Sequence, residues 1–203
     1  MKQKNYSQAK ARPYSERRVN SREIRQRFLI VCEGKKTEPQ YFRKFRGPFS
    51  ILDIRGTGCN TVSLVEHAIK CSSEDRYDQI WCVFDRDSFP ADIFNRALLL
   101  ARQNNFFVAY SNEAFELWYI LHFEYLNTAL TRSEYIKKLH VLLGHIYKKE
   151  SPTIFDELEE RLPIAIKHSQ RLLKSHSVND PYHNIPSTTV HLLIEQLIKY
   201  MRK

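Results

Sequence analysis

Glycine is scarce in this chain, five in 203 residues, and only Gly56-Thr57-Gly58 brings two of them close together. That loop lacks the six-residue glycine spacing and the Lys-Ser/Thr of a nucleotide-binding loop, so the chain offers no ATP signature of its own. Gly56-Thr57-Gly58 reads first as a plain turn, with a phosphate cradle as the other reading. Cysteine is also sparse. Cys32, Cys59, Cys71 and Cys82 form no Cys-x-x-Cys pair and have no histidine at ligand spacing, which argues against a zinc ribbon or a disulfide framework. They are expected to be reduced and mostly buried. No run approaches the roughly 18 apolar residues that span a bilayer, and no apolar signal core opens the chain. The expectation is a cytoplasmic protein with no membrane partner.

What is present is a basic excess, and it is unevenly placed. The chain carries 32 Lys and Arg against 23 Asp and Glu, a net charge of +9. Residues 1–27 hold nine of those cations and only two glutamates, so the remainder is nearly neutral. Large aliphatic side chains are missing from this tail before Val19, and it is expected to be disordered when unbound. Arg17 and Arg18, with Tyr6 and Tyr14 nearby for stacking, suit an electrostatic arm for phosphate backbones. A solubilising leader, or an arm that docks on a protein partner, is the alternative.

From Phe28 onward the hydrophobic pattern is regular. Phe28-Leu29-Ile30-Val31-Cys32 and Ile80-Trp81-Cys82-Val83-Phe84 are unbroken apolar runs, the mark of strands buried on both faces. Phe49 to Ile54 and Phe106 to Tyr110 are two further strand candidates. Helices are predicted between them: Thr37 to Phe45 with Thr37 as its cap and Pro39 in its first turn, one capped by Asn60, and one opened by Pro90 that runs to about Asn104. This alternation predicts an α/β domain with a mostly parallel four-stranded sheet flanked by helices. A core over 28–125 and a helical C-terminal extension over 126–203 packed on it are expected. That extension reads as helices from about Thr131 to Lys149, from Ile154 to Ser175 with a break at Pro163, and from Val190 to Met201. The last helix is read as core packing, with a homo-oligomer seam as the alternative.

Open parallel sheets place their ligands at the carboxyl ends of the strands, and two of these ends are acidic. The first strand leads into Glu33-Gly34-Lys35-Lys36-Thr37-Glu38, the third into Asp85-Arg86-Asp87. Asp85 and Asp87 point to one side if the backbone stays extended, and Glu33 on a neighbouring strand brings a third carboxylate. Three such groups repel one another unless a hard cation joins them, and oxygen ligands suit Mg²⁺ or Mn²⁺. Gly34 lets a phosphate approach, and Lys35 or Lys36 neutralises charge on it. Turn chemistry alone also explains Asp-x-Asp after a strand. Ser111 or Asn112 is expected to cap the following helix, with Glu113 and Glu116 in its first turn. Glu113 or Glu116 is then an extra ligand or general base, or simply a first-turn acid. His122 reads as a core histidine, and His183 as an exposed loop residue.

A strand ending in Glu-Gly-Lys-x-Thr-Glu followed by one ending in Asp-x-Asp resembles the Toprim fold of topoisomerases, primases and OLD-type nucleases. The segments LIVCEGKKTEPQYFRKF, IWCVFDRDSFP, SNEAFELWYILHF and PSTTV are similar to those of the RloB-like proteins, found beside an AAA-type ATPase in bacterial anti-phage loci. The resemblance implies that Glu33, Asp85 and Asp87 are the acidic triad that holds Mg²⁺ or Mn²⁺. It implies a metal-dependent phosphodiesterase, since no strand-passage module or nucleophilic tyrosine is recognisable. Arg86, set between the two aspartates, stands in the position to contact nucleic acid or change the number of bound metals. Three functions follow: a Toprim nuclease on RNA such as tRNA or on DNA, restrained by an AAA/ABC-type ATPase of the same locus; a non-catalytic adaptor that binds the ATPase or nucleic acid; and phosphoryl transfer to a small nucleotide.

Overall fold

The computed structural model describes residues 25–86, 90–176 and 180–201. Four strands pair in parallel: β1 (Gln26–Cys32), β2 (Ser50–Gly56), β3 (Gln79–Asp85) and β4 (Phe107–Asn112). A two-residue strand, β5 (Ser187–Thr188), adds antiparallel to β4, giving the sheet order β2-β1-β3-β4-β5. The result is a mostly parallel α/β sheet flanked by helices, consistent with a Toprim-like fold. It has one strand more than the apolar runs announce, because two polar residues carry no periodicity.

Alternation along the strands divides the core in two. Phe28, Ile30 and Cys32 of β1, with Trp81 and Val83 of β3, face one side; Leu29 and Val31, with Cys82 and Phe84, face the other. The second face is covered by α2 (Thr61–Ser72) and α3 (Ala91–Gln103), through Leu64, Val65, Ala68, Phe94 and Ala97. Asn60 caps α2 as expected, its side-chain oxygen accepting from the Ser63 amide at 3.3 Å. Burial on both faces is why β1 and β3 read as continuous apolar runs.

The first face is covered by α1 (Thr37–Arg43), α4 (Glu116–Ile120) and the C-terminal helices. Those are α5 (Arg132–Leu143), α6 (Ile154–Leu158), α7 (Leu162–Lys174), entered through a 3₁₀ turn at Glu159–Arg161, and α8 (Val190–Met201). Tyr135, Leu139, Phe155, Leu172 and Leu193 join the same core as Phe28 and Trp81. The C-terminal third therefore completes the hydrophobic layer of the sheet.

Three local expectations are corrected. Ser111 and Asn112 do not cap a helix; they extend β4. The Asn112 side-chain amide donates to the carbonyls of Tyr182 and Asn184 at 3.0 Å, and the Ser111 hydroxyl meets that of Thr188. Thr37 does not cap α1 either, because its hydroxyl donates to the Lys149 carbonyl at 2.8 Å. The helix that begins after Thr131 stops at Leu143, where Gly144 takes the left-handed conformation with φ 74°. Residues 144–153 are then free to return across the carboxyl ends of the strands. Cys32, Cys71 and Cys82 are buried thiols and Cys59 is partly so, all unbridged. No helix among the described residues is long and apolar enough to cross a membrane.

Candidate functional site

Glu33 follows β1 directly, and its amide donates to the Val83 carbonyl of β3 at 2.9 Å. The adjacent register sets its carboxylate against the end of β3, where Glu33 Oε2 accepts from the Asp85 amide at 3.2 Å. Glu33 and Asp85 are thus brought together as the sequence requires. Asp87 lies outside the described residues, as do Arg17, Arg18 and the basic tail up to residue 24; Gln26 and Arg27, read as the end of that tail, instead open β1.

Two further carboxylates converge on this point. Glu38 stands in the first turn of α1 and is 7% exposed; Glu116 opens α4 and is 4% exposed. Both helices are anchored from behind by an aromatic cluster. Tyr41 packs against Phe45, Phe115, Tyr119 and Phe155, and Trp118 Nε1 donates to the Tyr41 hydroxyl at 2.8 Å. This cluster turns one face of α1 and α4 inward and leaves their glutamates at the cavity rim. Glu38 Oε2 is buried without a hydrogen-bond partner. Gly34 is what makes room for it: a Cβ there would collide with the Glu38 carboxylate.

Glu33, Glu38, Asp85 and Glu116 line one cavity of about 220 Å³ together with Gly34, Thr37, Phe115, Arg132 and Lys149. The cations come from the C-terminal third. Arg132, the first residue of α5, holds Asp85 Oδ2 at 2.9 Å, and Lys149 Nζ stands 3.9 Å from Glu116 Oε1. The Tyr147 hydroxyl donates to the same Glu116 oxygen at 3.5 Å. Burial, followed by the neighbouring Glu38 and Glu116 carboxylates, pushes the Asp85 carboxyl well above its ordinary range, against the pull of Arg132. Glu38 is raised for the same reason, burial first and then Glu116, with Lys149 and Arg132 acting in opposition.

The remaining sequence candidates lie around this cavity. Lys36 turns to Glu150, its amine 2.8 Å from the carboxylate and both side chains more than half exposed. The Lys35 side chain lies over Gly58, so neither lysine lines the acidic cavity. Arg86 stacks its guanidinium over the Tyr182 ring at 4.2 Å and does not line the acidic cavity. The Gly56-Thr57-Gly58 loop is a buttress. The Thr57 and Gly58 amides donate to the Cys32 and Glu33 carbonyls at 2.9 and 2.8 Å, which leaves them no donor for a phosphate. His122 is fully buried, as read, with Nδ1 donating to the Trp118 carbonyl at 2.9 Å. His183 pairs with Asp180 at the surface.

Glu38, Arg132 and Lys149 are the site residues that spacing alone does not single out. Glu38 carried a signal, since it closes the Glu-Gly-Lys-x-Thr-Glu run. Arg132 carried a fainter one: a cation directly after a Thr cap opposes the helix dipole.

The acidic side chains that line the cavity offer carboxylate oxygens, one of them orphaned, and this set suits a hard divalent cation. Among the described residues, no three His, Cys, Asp or Glu side chains already stand in metal-binding geometry. Asp85, engaged by Arg132, would have to be released. The RloB-like protein family model matches residues 28–197. No curated protein and no solved structure matches the chain.

Proposed function

Because the chain belongs to the RloB-like protein family, we propose that it is a metal-dependent nuclease of Toprim type, the toxic effector of an anti-phage pair that works in the cytoplasm with an AAA/ABC-type ATPase. The observation that carries this reading is the convergence of Glu33, Glu38, Asp85 and Glu116 in one cavity at the carboxyl edge of the parallel sheet. Four carboxylates held this close without a structural partner for each are costly to the fold, and such costs concentrate at functional sites.

Glu33 and Asp85 would hold Mg²⁺ or Mn²⁺, joined by Asp87, with Glu38 Oε2 as a further oxygen donor. The cation supplies charge neutralisation at the phosphodiester and a more acidic water. Glu116 is buried beside Lys149 and Tyr147 and suits a group that takes or returns a proton during hydrolysis. Arg132 and Lys149 are the cations that face the cavity, and they are suited to the non-bridging oxygens of a phosphodiester. Lys35 and Lys36 at the rim, Arg86 and the basic segment that contains Arg17 and Arg18 would follow the flanking backbone. RNA such as tRNA, or DNA, is the polymer it would cut, and the two are compared in one assay.

A non-catalytic adaptor predicts a different phenotype. Glu33→Ala, co-expressed with the neighbouring ATPase, should lose both cellular toxicity and phage protection while it still accumulates as folded protein. Toxicity and protection that survive in Glu33→Ala would refute the nuclease and favour the adaptor.

A further inference from the structure

Arg132 occupies an unfavourable place for a cation. It is the first residue of a 12-residue helix, where the exposed amides already present positive partial charge. Acidic residues are preferred there, and α5 does supply one in Glu134, the partner of Thr131 in a capping box. That box fixes the first turn: the Glu134 carboxylate accepts from the Thr131 amide at 2.8 Å and from its hydroxyl at 2.7 Å. The turn so fixed delivers the Arg132 guanidinium to Asp85 Oδ2 at 2.9 Å, across 47 residues of sequence.

The charge balance of the cavity gives this contact its meaning. Among the described residues four carboxylates face two cations, so that lining is short of positive charge by two units when all are ionised. The two cations are engaged unequally. Arg132 is hydrogen-bonded to a side chain only 13% exposed, whereas Lys149 stays at 3.9 Å from Glu116 and is half exposed. Glu38, more than nine-tenths buried, keeps an oxygen without any partner on the same cavity. One acid thus lacks a cation, while another is held by a guanidinium drawn from a different part of the chain.

We propose that Arg132 is a resident counter-cation that occupies Asp85 until a divalent ion displaces it, so that metal entry frees the guanidinium for the incoming phosphodiester. The inference rests on the metal-dependent reading above and adds a competition that the reading does not require. In the metal-free chain Arg132 lowers the repulsion among the carboxylates and holds the site closed. In the loaded chain the same side chain, released from Asp85, joins Lys149 in the cavity lining as a second phosphate ligand. Arginine suits both tasks, since its fork matches carboxylate and phosphate alike.

The test is Mn²⁺ binding to the full-length chain at pH 8 and constant ionic strength, read by the free-ion EPR signal and by calorimetry. Arg132→Gln should bind Mn²⁺ at least about fivefold more tightly than wild type, the low end of ordinary site-to-site coupling, and its melting temperature in EDTA should fall while Mn²⁺ restores it. Arg132→Lys keeps the charge without the fork and should fall between the two, and it takes the place of Arg132→Gln if that variant melts without cooperativity in EDTA. Equal or weaker Mn²⁺ binding by the variants, with wild type binding normally, would overturn the role of Arg132 alone. Mn²⁺ bound by neither wild type nor variant would overturn the metal-dependent reading, and this inference with it.

Discussion

At the scale of single residues, the site is governed by what stands next to each carboxylate. Gly34 is required by the Glu38 side chain that folds over it rather than by an unusual backbone angle. Gly34→Ala should therefore fold, because the colliding atoms belong to a flexible side chain, but it should drive the Glu38 carboxylate from the cavity. A displacement on the ångström scale costs on the order of a hundredfold in a site that depends on positioning. We expect a loss of that size in cleavage rate with a near-normal melting curve; wild-type activity in Gly34→Ala would remove Glu38 from the site.

Two buried histidines give a separate check on the packing. Burial lowers His122 and His191 to about 4, so both are neutral in the fold at neutral pH. The folded value lies below the unfolded one, near 6.5. Their contribution to stability is thus whole above pH 6.5 and lost as the pH falls toward 4. Long-range ¹H–¹⁵N NMR should show two imidazoles that stay neutral down to about pH 4. All eight histidines titrating near 6.5 would contradict this packing.

At the scale of elements, what the sequence made legible was whatever repeats. β1 and β3 were readable because burial on both faces demands unbroken apolar residues, and α8 because Leu193, Ile194, Leu197 and Ile198 keep helical spacing. The acidic strand ends followed from the parallel sheet. Hidden from view was what depends on where the chain returns. Ser111 and Asn112 have the chemistry of a cap yet are spent on β5 and the 180–186 loop, pairings that span 77 and 70 residues. Lys149 lies in a stretch that reads as helix, and only Gly144 diverts it to the cavity.

Gly144 therefore carries a prediction at this scale. Its φ of 74° suits glycine, and a Cβ there would touch nothing within 4 Å. Gly144→Ala should cost about 1–2 kcal/mol from the backbone alone, measured by urea unfolding. A neutral substitution would mean that α5 does not end where it is drawn.

At the scale of the whole molecule, the C-terminal third completes one core face and also supplies the two cations that line the cavity among the described residues, Arg132 from α5 and Lys149 from the loop after it. Stability and site assembly are therefore coupled, and weakening α5 should loosen the site before it unfolds the sheet. The charge of the molecule is partitioned too, with more than half of the excess, seven cations against two glutamates, in residues 1–24 outside the described residues. If that segment binds phosphates, removing residues 1–24 should make the fall of log affinity with log salt less steep, since fewer counterions are released. An unchanged slope would mean that the segment serves a protein contact or only solubility.

The most direct measurement is cleavage of total RNA and plasmid DNA by the full chain, purified alone and with its ATPase, in Mg²⁺, Mn²⁺ or EDTA, beside Glu33→Ala. The account predicts cutting of RNA or DNA that needs the metal and disappears in Glu33→Ala without a change in melting temperature. Cutting that persists in EDTA or in Glu33→Ala, or no cutting by wild type in either preparation, would contradict it.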